Sequence, residues 1–229
     1  MRSLRAPLTR PDARRRRIAV LTAVAVVTLG LGACSGDDSD DPESSAPTTG
    51  RVEGVDVALE RGPVTVFGVA DGAVLPDAAA RAAMAGAERY VQSAIVSPFA
   101  RGEVGDRFAP LFAPALQPLV EAGGRDHGAL TDDGIPAATE TPTLTTSPVA
   151  LDALVAADGT PLIVIAAFRA RIAAETDGGP VAVGRVVELT FERTGGEWLV
   201  TAYDVSATRR GIDAAPTSTT ATAGTEDAT

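Results

Sequence analysis

The chain has 229 residues, with 20 basic residues that are all arginine, 30 acidic residues, a net charge of −10, a single cysteine and a single histidine. An acidic surface of this kind is repelled by nucleic acid and by anionic headgroups, which argues against both as partners. One cysteine gives no disulfide framework, so the folded part is held by its core alone.

The first 33 residues read as an export signal: Arg2, Arg5, Arg10 and the run Arg14 to Arg17 precede the uncharged stretch Ile18 to Ala33. Leu31-Gly32-Ala33-Cys34 resembles the lipobox of bacterial lipoproteins, which implies that Cys34 is diacylated and becomes the mature N-terminus. Two acyl chains hold a protein stably at a membrane where one does not. The rival reading is an uncleaved anchor, and sixteen uncharged residues fall just under the ~17–25 that a spanning helix needs. On either reading the arginines stay cytoplasmic and everything after Cys34 faces outward. Removing residues 1–33 takes seven arginines and one aspartate from the totals, which leaves 13 arginines against 29 acids and a mature charge of −16. Residues 34–50 follow as an acidic Ser/Pro-rich tether without large apolar side chains. Its length corresponds to roughly 20–25 Å of flexible coil. The exclusive use of arginine resembles the usage of GC-rich actinobacteria.

Residues 51–210 have the size of one domain with one core. Val52 to Glu60 and Val64 to Val69 predict two short strands around Arg61-Gly62-Pro63, as a leading hairpin or an edge strand. Asp77 is placed as the N-cap of an alanine-rich helix that runs to Val96 and stops before Pro98. Its apolar side carries Ala83, Ala87, Tyr90, Val91 and Ala94. From Asp106 to about Val120, Pro110, Pro114 and Pro118 predict short turns in place of one rod, burying Phe108, Leu111, Phe112, Leu116 and Leu119. Residues 121–140 read as loop.

Four strands are predicted between Thr141 and Arg209, joined by two-residue turns at Asp158-Gly159, Asp177-Gly178 and Gly195-Gly196. Counting from those turns sets Leu151 opposite Ala166, Phe168 opposite Val187, Val164 opposite Phe191, Leu189 opposite Ala202, Phe191 opposite Val200 and Arg193 opposite Trp198. Val155 falls opposite Leu162, and Val187 opposite Asp204. Nearly all the large apolar residues then share one face, which must be covered. The tail 211–229 is expected to be disordered.

Helices followed by a long antiparallel meander, with Gly196-Glu197-Trp198-Leu199-Val200 and Tyr203-Asp204-Val205 at its end, resemble the nuclear transport factor 2-like superfamily. The resemblance covers about residues 77–209 and implies an α+β cone with helices packed on a curved sheet. It also resembles accessory lipoproteins of actinobacteria with that fold. The superfamily contains enzymes, binding modules and interaction domains, so fold alone assigns no activity.

On the apolar face Arg185 is expected opposite Ala170 and Ser206, with Ser147 in the same row and Asp204 diagonally adjacent; a charge buried there needs a partner or water. Tyr90, Phe168, Arg185 and Asp204 are therefore the candidate ligand-binding residues. Tyr90, Arg185 and Asp204 are also the catalytic candidates: an isomerase or dehydratase of the resembled kind would use Asp204 as proton acceptor, with Tyr90 or Arg185 stabilising negative charge. The competing reading is a structural ion pair at the sheet rim. His127, beside Asp126 and near Asp132 and Asp133, lacks the further histidines or thiols of a zinc set and reads as a solvated loop residue, so no metal is expected. No phosphate loop, dinucleotide fingerprint or Gly-x-Ser-x-Gly elbow occurs, and no cofactor is expected. The functional expectation is a lipid-anchored extracytoplasmic protein that binds a small apolar ligand or an envelope protein partner, with no catalysis implied. An accessory subunit of a membrane transport assembly is a further possibility implied by the resemblance.

Overall fold

The computed structural model describes residues 55–68, 72–212 and 214–224, all within the compact unit Pro47–Thr229. The predicted export signal, Cys34, the tether 34–50 and residues 51–54 and 225–229 lie outside the described residues. Among those described, no helix is long and apolar enough to cross a membrane.

The architecture is α+β, with short helical segments followed by an open, mostly antiparallel sheet of seven strands. In chain order these are β1 (Arg61–Gly68), β2 (Thr143–Thr146), β3 (Val149–Val155), β4 (Pro161–Thr176), β5 (Gly179–Thr194), β6 (Glu197–Gly211) and β7 (Ala214–Gly224). The path β3-β4-β5-β6-β7 is a meander, β1 lies parallel to β3 at one edge, and β2 pairs with the far half of β4. Ser147 and Pro148 separate β2 from β3, and Ser147 keeps contact there by donating its N–H to the Arg169 carbonyl at 2.9 Å.

Most of the register follows from turn counting. Leu151 faces Ala166, Phe168 faces Val187, Val164 faces Phe191 and Arg193 faces Trp198. Gly195 and Gly196 both take positive φ, 62° and 96°, as a primed two-residue turn requires. Two departures are bulges. The first loop holds three residues, 157–159, with Gly159 at φ 85°, and the irregularity sets Val155 opposite Pro161 in place of Leu162. The second lies at Thr201, where Phe191 faces Val200 but Thr190 faces Ala202. An extra residue on one strand flips everything beyond it to the other face. Val187 therefore meets Val205, Leu189 meets Tyr203, and Asp204 meets Glu188.

The sequence expectations at both ends need correction. Residues 55–60 are not a strand, and only β1 forms, an edge strand that tolerates Pro63 because an edge position needs no N–H on its open side. The predicted disordered tail is β7 as far as Gly224, paired along β6. Alternation of threonine with alanine places Ala221 and Ala223 in the core, and threonine suits a half-buried pleat.

The helical layer also runs further than Pro98 suggested. Helix α1 (Asp77–Tyr90) starts with Asp77 inside its first turn, after Pro76. It passes through a π-helical turn, Val91–Val96, into α2 (Ser97–Arg101). A proline inside a helix has no N–H for the carbonyl four residues back and crowds it, and the wider π turn accommodates both. Here that carbonyl belongs to Ala94, and it accepts the N–H of Asp132 at 3.0 Å. Ala83, Ala87, Tyr90, Val91 and Ala94 are all fully buried, as the wheel predicted. The proline-rich stretch gives a 3-10 turn, Ala109–Leu111, and α3 (Gln117–Val120), which bury Phe108, Leu111, Phe112 and Leu116 and half-bury Leu119. The 121–140 stretch contains one further helix, α4 (His127–Leu130).

Candidate functional site

Arg185 points from the centre of β5 into the core, where its side chain is 2% exposed. Its pair is Asp132, not Asp204: Nη2 donates to Asp132 Oδ1 at 2.6 Å and to the Thr131 carbonyl at 2.6 Å, and Nη1 donates to the Ala129 carbonyl. The loop after α4 thus wraps the guanidinium in main-chain acceptors. That loop is fixed from two sides, by the Asp132 N–H on the Ala94 carbonyl and by the Tyr90 hydroxyl, which donates to the Leu130 carbonyl at 2.8 Å.

Electrostatics follow from burial. Desolvation pushes the Tyr90 phenol up to about 12, so it stays a neutral donor. Burial raises the Asp132 carboxyl above the usual carboxylate range, with Arg185 pulling it back. On Arg185 burial works against the charge, yet Tyr90 and Asp132 beside it raise it further and keep it cationic.

Of the four residues singled out from sequence, Tyr90, Phe168 and Arg185 come together on the inner face. Phe168 meets the Tyr90 ring edge-on at 6.5 Å, and Phe108 packs on Tyr90 tilted by 49° at 6.2 Å. Asp204 does not join them, because the Thr201 bulge turns it to the exposed outer face. There it stands directly opposite Glu188, and like charges across a strand pair are destabilising. Asp204→Asn is therefore expected to stabilise the domain by a few tenths of a kcal/mol, up to about 0.5. A loss above 1 kcal/mol in urea denaturation would show that Asp204 has a buried role.

A second buried cluster was missed in the sequence. Asp126, on the segment read as loop, accepts two bonds from Arg125, at 3.0 and 2.8 Å, and one from the Tyr203 hydroxyl at 2.7 Å. The Arg125 donors hold its carboxyl below the usual range against the pull of burial, with Tyr203 adding to the effect. Desolvation, and then Asp126 itself, push the Tyr203 phenol well above its ordinary value. His127 is a core residue, not a solvated one: it is 9% exposed, Nδ1 lies 2.8 Å from the Val120 carbonyl, Nε2 lies 3.2 Å from Asp133, and Phe108 packs edge-on at 6.1 Å.

The folded value of Asp126 lies below its unfolded one of ~3.9, so its contribution is complete above that value and drains away as pH falls through the folded one. Tyr203→Phe should cost about 1.5–3 kcal/mol at pH 7, the range for a bond to a charged group. The gap to wild type should narrow below pH 4. A gap that stays constant from pH 7 to pH 3 would refute the coupling.

The sequence carried a usable signal for the Thr201 bulge. Val200, Tyr203, Val205 and Ala207 break the period of two once, between Val200 and Tyr203. Nothing as direct marked Asp132, except that a buried arginine demands an acid and Asp132 lay on the neighbouring loop.

Among the described residues no group of three or more metal-ligating acids, histidines or cysteines comes together. The inner face is filled by the chain itself, with Tyr90, Phe99, Phe108, Phe112 and Phe191 all fully buried. Two hollows, of about 650 and 450 Å³, lie on the outer face along β4 and β5, sharing Ser147, Arg169, Val186 and Ser206. A smaller cleft of about 120 Å³ lies beside the Arg185–Asp132 pair. Searches of protein-family models, of curated proteins and of solved structures each return no match to this chain.

Proposed function

We propose that this protein is an extracytoplasmic lipoprotein, anchored through Cys34, whose domain docks an envelope protein partner against the outer face of its sheet. In this reading the seven strands and the helices on their inner face form the cone of the nuclear transport factor 2-like type. The carrying observation is the contrast between the two faces: the inner one is packed by the chain's own side chains, while the outer one is open and carries exposed apolar side chains among charged ones such as Arg169, Glu188 and Asp204. One cross-strand row joins Phe67, Leu154, Ile163, Glu192 and Leu199. Phe67 is 58% exposed and Leu154 41%; Val186, further along β5 between Arg169 and Ser206, is a separate exposed apolar side chain in the shared hollow. Exposed apolar side chains grouped in this way mark interaction surfaces more often than monomer surfaces. The position of Asp204 on that face, away from Tyr90 and Arg185, counts against proton transfer by those three residues.

Two measurements test the proposal. Cys34→Ser should move the protein from membrane to soluble fraction, and unchanged partitioning would overturn lipidation. Leu154→Asp with Val186→Asp, at exposed positions, should leave the melting temperature within a few degrees of wild type while shifting the detergent-solubilised protein from a larger complex to its own size. Comigration of wild type and variant would refute docking on this face.

A further inference from the structure

The outer face of the sheet is charged in two halves. Cross-strand register orders its rows: Arg169 shares one with Val186 and Ser206, Arg171 the next with Gly184 and Thr208, and Arg210 the one after with Ala182 and Ala173. On the other side of the Val186 row come Ala167, Glu188 and Asp204, then Asp152, Ile165 and Thr190, then Leu154, Ile163 and Glu192. Rows with arginine occupy one end of the strands and rows with acid the other. Arg169, Arg171, Arg210, Glu188 and Asp204 are exposed, and none of the charges in these rows forms an ion pair with another described residue.

In a lone chain this arrangement is unfavourable. Glu188 faces Asp204 directly, and Arg169 and Arg171 are successive side chains on the same face of β4, so like charges are neighbours within each half. The complement must come from outside, as an acidic surface for one half and a basic surface for the other, at the same spacing.

A second copy supplies both. A two-fold axis in the plane of the interface, running across the strands between the Val186 row and the Glu188 row, reverses the order of rows between the copies. The Arg169 row then lies on the other copy's row of Glu188 and Asp204, the Arg171 row on its Asp152 row, and the Arg210 row on its Glu192 row, each contact being made twice. Val186, half exposed, falls beside the axis, at the centre of the contact where water is best excluded. The area suffices: the strands β3 to β7, about 4.8 Å apart and about ten residues long at ~3.4 Å each, present roughly 800 Å² per copy, as much as each partner contributes to a standard stable interface.

We propose that the outer face joins two copies of this chain as an isologous dimer, with Arg169, Arg171 and Arg210 of each copy on the acidic rows of the other. The second copy is the occupant of the docking face described above and rests on that reading.

The test is native mass spectrometry of the purified full-length chain released from detergent, at micromolar concentration. Wild type should appear at twice the mass of one chain. Arg169→Glu with Arg171→Glu, and separately Glu188→Arg with Asp204→Arg, should each appear at the mass of one chain, because like charges then meet across the axis. An equimolar mixture of the two variants should restore a two-copy species, a heterodimer recognisable by its mass, because every row again meets its opposite. These four positions are exposed, so both variants should keep the circular dichroism spectrum of wild type. Purified wild type at the mass of one chain would overturn the dimer, as would a dimer that survives both reversals or a mixture of the variants that stays monomeric. Membrane extracts separate this failure from that of the docking reading. A larger complex there, lost in Leu154→Asp with Val186→Asp while the purified chain is monomeric, would keep the docking face and assign it to a different protein.

Discussion

Asp132→Ala should destabilise the domain by about 3–5 kcal/mol, since it leaves Arg185 charged, buried and without its acid. For a domain of this size that corresponds to a fall in Tm of about 10 °C or more. The penalty arises mostly from the orphaned guanidinium and much less from any net value of the pair. Replacing both partners separates these terms. Asp132→Leu with Arg185→Met removes both charges at nearly conserved volume, and such replacements are commonly neutral or stabilising. The double variant still takes the Arg185 donors from the Ala129 and Thr131 carbonyls, so it is expected about 1–3 kcal/mol below wild type, well short of the sum of the single losses. Urea midpoints at constant slope would give both numbers. A loss under 1 kcal/mol in Asp132→Ala would mean that water reaches Arg185 and that the pair is a surface contact. Selective survival of the double variant would identify the pair as a device for fixing the Asp132 loop against the π turn, through the Ala94 carbonyl that Pro98 leaves unserved.

How much of this was legible in the sequence depends on the range over which each signal acts. Local turn chemistry and period-two alternation gave the register of β4 with β5 throughout and that of β3 with β4 up to its terminal bulge, because each pairing is set by its own turn. The β5–β6 register was read correctly only as far as Thr201. One inserted residue there carried the error through the remainder of β6 and exchanged Asp204 for Tyr203 on the inner face. Proline was read as a stop at Pro98, and a change of helix type absorbed it. The tail was misread because alanine and threonine are also common in unstructured segments; pairing with β6, a tertiary effect, decides its state. The site was half legible. Arg185 announced itself as a charge in an apolar row, and Tyr90 and Phe168 lay on the correct faces. Its acid came from a segment whose glycines and acids suggested loop, and no local rule links residue 132 to residue 185.

The consequence for function is a division between the two faces of one sheet. Inward, aromatic rings of the core pack on one another: Phe108 and Phe112 meet at 5.2 Å, Phe112 and Tyr203 at 5.7 Å, and Tyr90 meets both Phe108 and Phe168. Such a core has little slack for a large guest. Outward, the same strands present alternate side chains that no other described element covers, and that is the side on which the proposed partner would dock.

Closeness of packing can be tested where α1 crosses the sheet, at Gly86 and Phe191. A methyl group on Gly86 would lie 2.4 Å from Phe191 Cε1 and 2.7 Å from Cζ, inside any real contact. In an exposed helix, Gly→Ala gains about 1 kcal/mol. Here the sign should reverse: overpacking costs typically 1–3 kcal/mol, and the Phe191 ring is fully buried and cannot swing away. Gly86→Ala is thus expected to lower stability by up to about 2 kcal/mol net of the helix gain, and Phe191→Ala by about 3–5 kcal/mol through the cavity it leaves. The decisive variant combines Gly86→Ala with Phe191→Leu. The shorter side chain makes room for the new methyl, so the pair should cost less than the two single changes added together, by roughly 1 kcal/mol or more of coupling. Strict additivity would mean that helix and sheet are not in contact at this point. A stabilising Gly86→Ala would mean that α1 can lift away from β5 at little cost, and the inner face would then have room for a guest of drug-like size.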